Sequence, residues 1–251
     1  MRRKPEKRRS PGPSYAIIAR VNRLLHIVSV ALITAGLVML ADVATTLAWR
    51  EPVSSIYGSI QQHQAASQLA ELEHEFPSHS DLRKVAPAKN VRKKVAILAR
   101  LFVNRVHEGE AIGRIAIPRI SLDVIAVQGT DTASLQKGPG HYPRTPFPGQ
   151  GGTTAFAGHR TTYLAPFRHL DELQSGDRVD IEMPYANFAY RVQGTRVVDD
   201  SDVGIVHKVG YERLVLTACH PLYSAAQRIA AFAKLEQVSF FALGNRRWVD
   251  P

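Results

Sequence analysis

The fold is decided by the stretch RLVLTACHP, residues 213–221, which has the pattern of a buried strand that runs into a loop. The apolar run at residues 214–216 is what a buried strand needs. Pro221 lacks the backbone N–H that a strand ladder uses, so we expect the strand to end near Cys219. This residue is the only cysteine in the chain. Because catalytic groups commonly lie where a rigid strand opens into a loop, its thiol is the first candidate for a nucleophile.

A cysteine attacks as the thiolate, so Cys219 needs a basic or cationic neighbour. Two residues at the ends of other predicted strands can supply one. His159 closes the short apolar strand at residues 153–158, and Arg228 opens the apolar segment at residues 229–233. An imidazole can act as general base and acid, while a guanidinium keeps its proton and can stabilise an oxyanion. We therefore predict that Cys219, His159 and Arg228 line one cleft.

Each of these three residues also has a structural interpretation. A single cysteine is commonly a small buried hydrophobe, a histidine after glycine can belong to a turn, and an arginine at a strand start can be a solvated charge. His220 is a second candidate for the base because it adjoins Cys219. Successive side chains of a strand point to opposite faces, however, so we expect His220 to point away from the sulfur and favour His159.

The three motifs, taken in order, resemble those of sortases, the cysteine transpeptidases of Gram-positive cell surfaces. The Ala-Gly-His sequence that ends at His159 resembles the family's histidine motif, and residues 215–219 match the motif T-L-x-T-C in part. Arg228 lies where the arginine of several sortase classes lies. The residues that follow His159 and Cys219 are most similar to the actinobacterial class E branch. The resemblance covers residues 108–235.

This resemblance implies a specific reaction and specific partners. Sortases cleave a C-terminal sorting signal of the LPxTG or LAxTG type on secreted proteins, between threonine and glycine. They join the threonine carbonyl, through a thioacyl enzyme, to an amine of a peptidoglycan precursor or a pilin lysine. The expected catalytic residues are Cys219, His159 and Arg228.

Further substrate contacts are expected around the cysteine strand. His141 and Tyr142 lie in a Gly/Pro-rich loop that can rim the cleft, and Thr217 and Ala218 directly precede the cysteine. Two residues depart from the family motif, because Val215 and Ala218 stand where the usual motif has threonines. The loss of a hydroxyl beside the cysteine removes a potential hydrogen bond to substrate, which affects rate and substrate preference.

Around these motifs the chain has short strands separated by turns, which is typical of a β-sandwich or barrel. About eight strands are predicted, the number that closes a small barrel, and sortases are eight-stranded barrels. The predicted fold class is therefore all-β, a sortase-type barrel with short helices over residues 108–251. The predicted strands are 111–117, 122–127, a short one near Tyr142, 153–158, 178–183, 188–198, 213–219 and 228–235, with helices at 130–137 and 163–173.

The N-terminal segment has the pattern of a membrane anchor. Residues 1–26 carry eight Lys or Arg and one acid, which accounts for +7 of the formal net charge of +10. Residues 27–49 are mostly apolar and long enough to cross a bilayer, with Trp49 suited to the interface. A basic segment before the span predicts a cytoplasmic N-terminus and an extracellular catalytic domain. A cleaved signal peptide is the alternative, but the run is long for one and lacks a clean cleavage site.

Residues 50–107 are predicted to be a helical stalk or linker. Residues 91–106 have an apolar stripe at three- and four-residue steps, surrounded by Lys and Arg. This amphipathic helix can dock on the barrel, which we favour, or lie on the membrane or over the cleft.

No cofactor, metal site or nucleic-acid partner is predicted. The charge outside the N-terminal segment is small, and Asp199, Asp200 and Asp202 lack a full set of oxygen ligands for calcium. Two other functions stay open. An L,D-transpeptidase is also a cysteine enzyme of the cell wall, but its motif is of the Ser-His-Gly-Cys type. A sortase-like barrel that binds extracellular peptides without cleaving them is the second, because Val215 and Ala218 depart from the motif.

Overall fold

The computed structural model describes residues 13–48 and 52–240, and the chain divides into two compact units, Met1–Trp49 and Arg50–Pro251. The second unit holds a closed barrel of eight strands in the order β1-β2-β3-β4-β7-β8-β6-β5, which confirms the predicted fold class. The strands are β1 Ala111–Ile117, β2 Leu122–Gln128, β3 Gly140–His141, β4 Thr153–Ala157, β5 Arg178–Met183, β6 Ala186–Asp199, β7 Arg213–His220 and β8 Gln227–Phe240.

Strand β7 lies between β4, its parallel neighbour, and β8, its antiparallel neighbour. Its side chains alternate between two apolar clusters, as the period of two requires. Leu214, Leu216 and Ala218 belong to the main hydrophobic core. Val215 belongs to a smaller cluster on the other face, beneath the 3-10 turn Val203–Val206. The stretch 213–220 thus forms the buried strand that its apolar pattern predicts, and the strand extends one residue past Cys219.

The prediction of a helix at residues 163–173 is wrong, because the only helical element there is a 3-10 turn at Leu170–Glu172. Tyr163, Leu164 and Ala165 have left-handed backbone conformations, with φ of 49°, 66° and 44°. The residue before a proline avoids the α region, and Pro166 follows this run, so the segment cannot continue as a helix. The chain instead forms an irregular loop directly after the predicted catalytic histidine.

Helices α2 (Pro52–Glu75), α3 (His79–Val85) and α4 (Val91–Val103) cover the segment predicted as a stalk, and they pack on the barrel. The apolar stripe of α4 enters the main core through Val95, Leu98, Ala99 and Phe102. This is the docked arrangement that the sequence favours. Burial of such side chains contributes about 1.5–3 kcal/mol each to folding, so these helices are an integral part of the barrel unit.

Helix α2 is further joined to the barrel by the partly buried side-chain amide of Gln62. The Gln62 side chain donates to the carbonyl oxygens of Ile125 (2.9 Å) and Lys137 (2.6 Å), and its own oxygen accepts from Ile125 N–H at 2.7 Å. It therefore connects α2 to β2 and to the end of α5, Thr132–Lys137. Ala65 and Leu69, further along α2, pack in a cluster with residues of β1 and β2.

The first unit contains helix α1, Pro13–Ala48. Among the described residues, one stretch, Val21–Thr45, is long and apolar enough to cross a bilayer. It begins a few residues before the predicted span. The hydroxyls of Thr34 and Thr45 donate hydrogen bonds to the carbonyl oxygens of Val30 and Ala41, one turn earlier in the helix. Each hydroxyl hydrogen therefore has a partner within the helix, as an apolar medium requires. Trp49, residues 1–12 of the predicted cytoplasmic tail and residues 241–251 lie outside the described residues.

Candidate active site

Cys219 and Arg228 lie directly opposite each other on β7 and β8. Opposed residues of an antiparallel pair project to the same face of the sheet, so thiol and guanidinium share one side. Cys219 is a free, partly exposed cysteine. The Arg228 Nη1 atom donates to the carbonyl oxygens of Ala225 (2.8 Å) and Gln227 (2.9 Å). These bonds use one of its two terminal nitrogens, and they anchor the side chain to its own loop.

His159 lies beside the same end of the sheet, since β4 runs parallel to β7 and ends next to the cysteine. Ala157 pairs with Thr217, and the Gly158 N–H then donates to the Thr217 carbonyl at 3.0 Å. A Cβ at Gly158 would stand 2.5 Å from the Phe167 ring, so only glycine fits this approach. Strands β4, β7 and β8 therefore bring the three predicted catalytic residues to one edge.

The His159 ring is partly buried and has an unusual hydrogen-bonding state. Its Nε2 atom is inaccessible to water and has no hydrogen-bond partner among the described residues. The ring packs against Tyr163, with the centroids 5.1 Å apart. Burial lowers the pKa of His159 from its usual value, because desolvation disfavours the imidazolium. The site thus combines a free thiol, a neutral imidazole with an unused nitrogen and a permanent cation.

Comparisons with known proteins match this arrangement to one family. The sortase domain matches residues 115–236. A solved structure of sortase E from Streptomyces avermitilis is 32% identical, with a TM-score of 0.50, and the match covers 56% of this chain and 97% of that chain. The chain belongs to the sortase family. The chain is also similar to the SrtF sortase from Corynebacterium diphtheriae, at 26% identity and a TM-score of 0.53. This match covers 57% of this chain and 92% of that chain.

The relatives of this sortase domain belong to more than one class. Sortase D of Bacillus subtilis (strain 168) is 37% identical over 116 residues, which is 45% of this chain and 56% of that protein. The expected likeness to class E is found in the structural comparison, alongside this likeness to class D. The chain spans between 41% and 57% of the length of three curated relatives.

The structure explains where the two departures from the sortase motif lie. Ala218 is 3% exposed and packs in the main core, on the face opposite Cys219. Val215 is fully buried in the smaller cluster with Ala155, Ile205 and neighbouring residues. This corrects the expectation that Ala218 contacts substrate, because a side chain at this position points into the protein. A hydroxyl at either position would be buried and would need an internal partner.

Tyr142 and Thr217 form one hydrogen-bonded pair on the cysteine-bearing face. The Tyr142 hydroxyl lies 2.8 Å from Thr217 Oγ1, which lies 3.4 Å from the Phe156 carbonyl oxygen. Thr217 itself is 1% exposed, so Tyr142 covers it. Of the four predicted substrate-contacting residues, only Tyr142 is partly exposed, and its hydroxyl bonds to Thr217, two residues before Cys219 in the chain. It remains the candidate for this role.

His141 is an interior residue rather than a rim residue. It is 1% exposed, its Nδ1 lies 2.9 Å from Gln128 Oε1, and its Nε2 lies 3.1 Å from Thr145 Oγ1. Its ring also stacks on Phe147 at 4.3 Å. The expectation that it borders the cleft is therefore wrong, because this side chain points inward at the end of β3 while the next residue, Tyr142, stays partly exposed.

Two features of the site were missed by the sequence interpretation. The first turns of α2 support the loop that follows His159. The Tyr163 N–H donates to Ser54 Oγ at 3.2 Å, and the Tyr57 ring meets the Tyr163 ring edge-on at 6.0 Å. At Gly58, a Cβ would stand 3.0 Å from Leu164. The only sequence signal for this contact is the glycine within an otherwise helical segment.

The second missed feature is Arg160, the residue after the histidine. It is 3% exposed and forms an ion pair with Asp171 at 2.8 Å. Its guanidinium also reaches the end of β7, where Nη1 lies 3.0 Å from His220 Nδ1. Among the residues the structure describes, no group of three or more His, Cys, Asp or Glu side chains is placed to hold a metal ion.

Proposed function

We propose that this chain is a membrane-anchored cysteine transpeptidase of the sortase type. It cleaves an LPxTG- or LAxTG-type signal between threonine and glycine and transfers the threonine carbonyl to an amine. Family membership supports this assignment. The observation that carries it is the placement of Cys219 opposite Arg228, with His159 at the end of the adjoining strand.

The first half of the reaction forms the thioacyl enzyme. His159 is neutral before reaction because its pKa is depressed, so it can accept the Cys219 proton as the sulfur attacks the threonine carbonyl carbon. The new C–S bond places charge on the carbonyl oxygen, which Arg228 stabilises together with backbone N–H groups. The C–N bond then breaks, and the leaving glycine amine takes the proton from the His159 imidazolium.

The second half reverses this sequence with a new amine. The acceptor, from a peptidoglycan precursor or a pilin lysine, attacks the thioacyl carbon while His159 removes its proton. The C–S bond breaks, and the departing Cys219 sulfur takes the proton back from the His159 imidazolium, so the thiol and the neutral imidazole are both regenerated. The buried, unpartnered Nε2 of His159 supports this role, since a substrate amine would supply the missing hydrogen-bond partner.

The position of the anchor fits the proposed partners. One apolar helix precedes the barrel unit, and the basic residues at the start of the chain favour an N-terminus in the cytoplasm. In this topology residues 27–49 are the anchor, residues 108–251 form the catalytic domain outside the cell, and residues 50–107 join them. Secreted proteins with sorting signals and lipid-linked amine acceptors lie at the same surface.

The test uses the full chain in detergent with quenched peptides that carry LPxTG or LAxTG, with and without an amine acceptor. We expect cleavage, a thioacyl adduct on Cys219, and an amine-dependent ligation product. Cys219→Ala, His159→Ala and Arg228→Ala should each remove most of this activity. Cleavage that persists in Cys219→Ala would refute the proposal. Saturable binding of peptide without cleavage by the wild-type chain would instead identify a binding barrel.

A further inference from the structure

Arg160 carries a buried guanidinium that no step of the proposed reaction uses. On one side it contacts the loop that follows His159. Its Nε donates to the Arg168 carbonyl oxygen at 3.1 Å, and its Nη2 lies 2.8 Å from Asp171 Oδ2. The side chain of Arg160 is 2% exposed and that of Asp171 is 50% exposed. The cation is therefore compensated by a carboxylate that reaches in from the surface.

On its other side the same guanidinium contacts the end of the cysteine strand. Its Nη1 donates to His220 Nδ1 at 3.0 Å, and the Cys219 carbonyl oxygen lies 3.5 Å from the same nitrogen. A guanidinium only donates, so His220 Nδ1 must be an acceptor and a neutral His220 ring carries its proton on Nε2. His220 Nδ1 is thus engaged with a cation, which opposes a role for this atom as the general base.

These contacts join the two halves of the catalytic pair. Arg160 directly follows His159, and its acceptors include the residue that carries the thiol and the one after it. Three of its nitrogens are engaged with partners on opposite sides, in the planar fork that only arginine offers. Because the guanidinium is buried, loss of its partners on one side would leave N–H donors of Arg160 without water or partner.

We propose that Arg160 is a positioning residue for the cysteine–histidine pair. Through His220 and the Cys219 carbonyl it holds the end of β7 against the loop after His159, and so sets the approach of the thiol to the imidazole. It does not touch the substrate. The inference rests on the proposed function, because the effect is expected on the rate of the acyl transfer.

The experiment measures kcat and KM for peptide cleavage by the full chain in detergent, with four substitutions. Arg160→Lys keeps the charge but replaces the fork with a single ammonium. His220→Asn keeps an acceptor near the position of Nδ1, whereas His220→Leu removes it. Arg191→Gln is the matched control, since it deletes an arginine–carboxylate pair, with Glu236, at the exposed surface. Circular dichroism and thermal melting confirm folding of each variant.

We expect Arg160→Lys to lower kcat by about 10–100-fold with KM within about threefold, as small misplacements of reacting groups do. His220→Leu should lower kcat by about tenfold, whereas His220→Asn should stay within about threefold of wild type, as should the control. Equal losses in both His220 variants would overturn the inference, since they would indicate direct chemistry by the imidazole. Full activity of a folded Arg160→Lys would also overturn it.

Alkylation of Cys219 by iodoacetamide separates this inference from the proposed function. If the wild-type chain cleaves no peptide, the proposed function fails, and the alkylation rates then decide the role of Arg160. We expect the thiol of Arg160→Lys to react about tenfold more slowly than that of wild type at neutral pH, because the imidazole no longer lies in place to take its proton. Equal rates would overturn the inference. If Arg160→Lys does not fold, the two His220 variants carry the same comparison.

Discussion

His141, in strand β3, and His159, in the loop after β4, both have imidazoles with little exposure, but their hydrogen bonding differs. Both ring nitrogens of His141 have partners, and the ring stacks on Phe147. The Nε2 atom of His159 is buried without a partner among the described residues, and the ring lies against Tyr163. The protein supplies hydrogen-bond partners to both ring nitrogens of His141, whereas Nε2 of His159 is free to bond to another molecule.

This difference separates a structural histidine from a functional one more clearly than exposure does. A buried polar group without a partner costs about 1–3 kcal/mol, and proteins retain such a cost where it serves a purpose. The pKa values follow the same physics. Burial lowers the pKa of His141 to about 4, and it lowers the pKa of His159 as well. Both rings are therefore neutral at pH 7, but only His159 can exchange a proton with a ligand.

The strongest test of this comparison is replacement of His159. We expect His159→Ala to lower kcat/KM for peptide cleavage by about 10²–10⁴-fold, the usual contribution of a general acid and base. Its free energy of unfolding should change by less than about 1 kcal/mol, because no hydrogen bond of Nε2 is lost. Steady-state kinetics and urea unfolding measure the two quantities. A large loss of stability with retained activity would reverse the roles assigned to the two rings.

The matching substitution at the other ring should affect stability instead. His141→Ala removes a stacked ring and leaves Gln128 and Thr145 without their partner. We expect it to lower the free energy of unfolding by about 2–5 kcal/mol, as large-to-small substitutions in cores do. Urea unfolding measures this loss. His169→Ala is the control, because that ring is 42% exposed and its pair with Glu172 lies at the surface. If His141→Ala unfolds like the control, His141 is not a core residue.

The contrast also predicts how stability depends on pH. The pKa of His141 is about 4 in the folded chain and near 6.5 in the unfolded chain. Between these pH values the unfolded state binds a proton on this ring and the folded state does not. Above pH 6.5 both states are neutral and the effect is absent. As the pH falls from 6.5 to 4 the folded state loses roughly 3 kcal/mol, and below pH 4 the loss levels off.

Urea unfolding between pH 7.5 and 3.5 measures this dependence as a difference between two chains. The wild type should lose more stability over the window than His141→Phe, a stacking ring without a titratable group. Carboxylates contribute equally to both chains, so the difference isolates the imidazole. Parallel curves for the two chains would contradict the burial assigned to His141.

Much of the barrel follows from the sequence because its strands are short, apolar and separated by turn residues. The boundaries of β1, β5 and β7 differ from the predicted ones by at most one residue. The helix predicted after His159 is wrong because the prediction does not weigh Pro166 as a helix breaker, and the contact of this loop with α2 through Ser54 has no local sequence pattern. The docking of α4 was foreseen from its stripe, but the bridge made by Gln62 between α2 and the barrel was not.

At the site, the order of the three motifs indicates His159, Cys219 and Arg228, and the strand register brings their positions together. Residue type alone could not show that His141 faces inward and Tyr142 outward, since a strand of only two residues, Gly140–His141, has no apolar alternation that marks its buried face. It also could not distinguish Arg160 from a solvated arginine. That distinction depends on partners at Arg168, Asp171 and His220, which the fold supplies from separate segments.

The smallest expected effect concerns the contact of helix α2 with the loop after His159. Gly58→Ala improves helix propensity in α2 by about 0.5–1 kcal/mol, but the new Cβ would stand 3.0 Å from Leu164 Cγ and 3.1 Å from the Tyr163 carbonyl carbon. The loop must shift to relieve this, and Tyr163 carries the shift to His159. We expect kcat to fall about threefold to tenfold, with little net change in the free energy of unfolding.

Ser67→Ala on the same helix is the control for Gly58→Ala, because its exposed hydroxyl donates to the His63 carbonyl of its own helix. This variant should keep full activity. The contribution of His141 to the loss of stability between pH 6.5 and 4 should be unchanged in Gly58→Ala. Helix α2 contacts the loop of His159 through Tyr163, whereas His141 is buried elsewhere, beside Gln128. A Gly58→Ala chain that is more stable and fully active would show that the loop absorbs the methyl group without moving the imidazole, and the His159 site would then be as rigid as the His141 site.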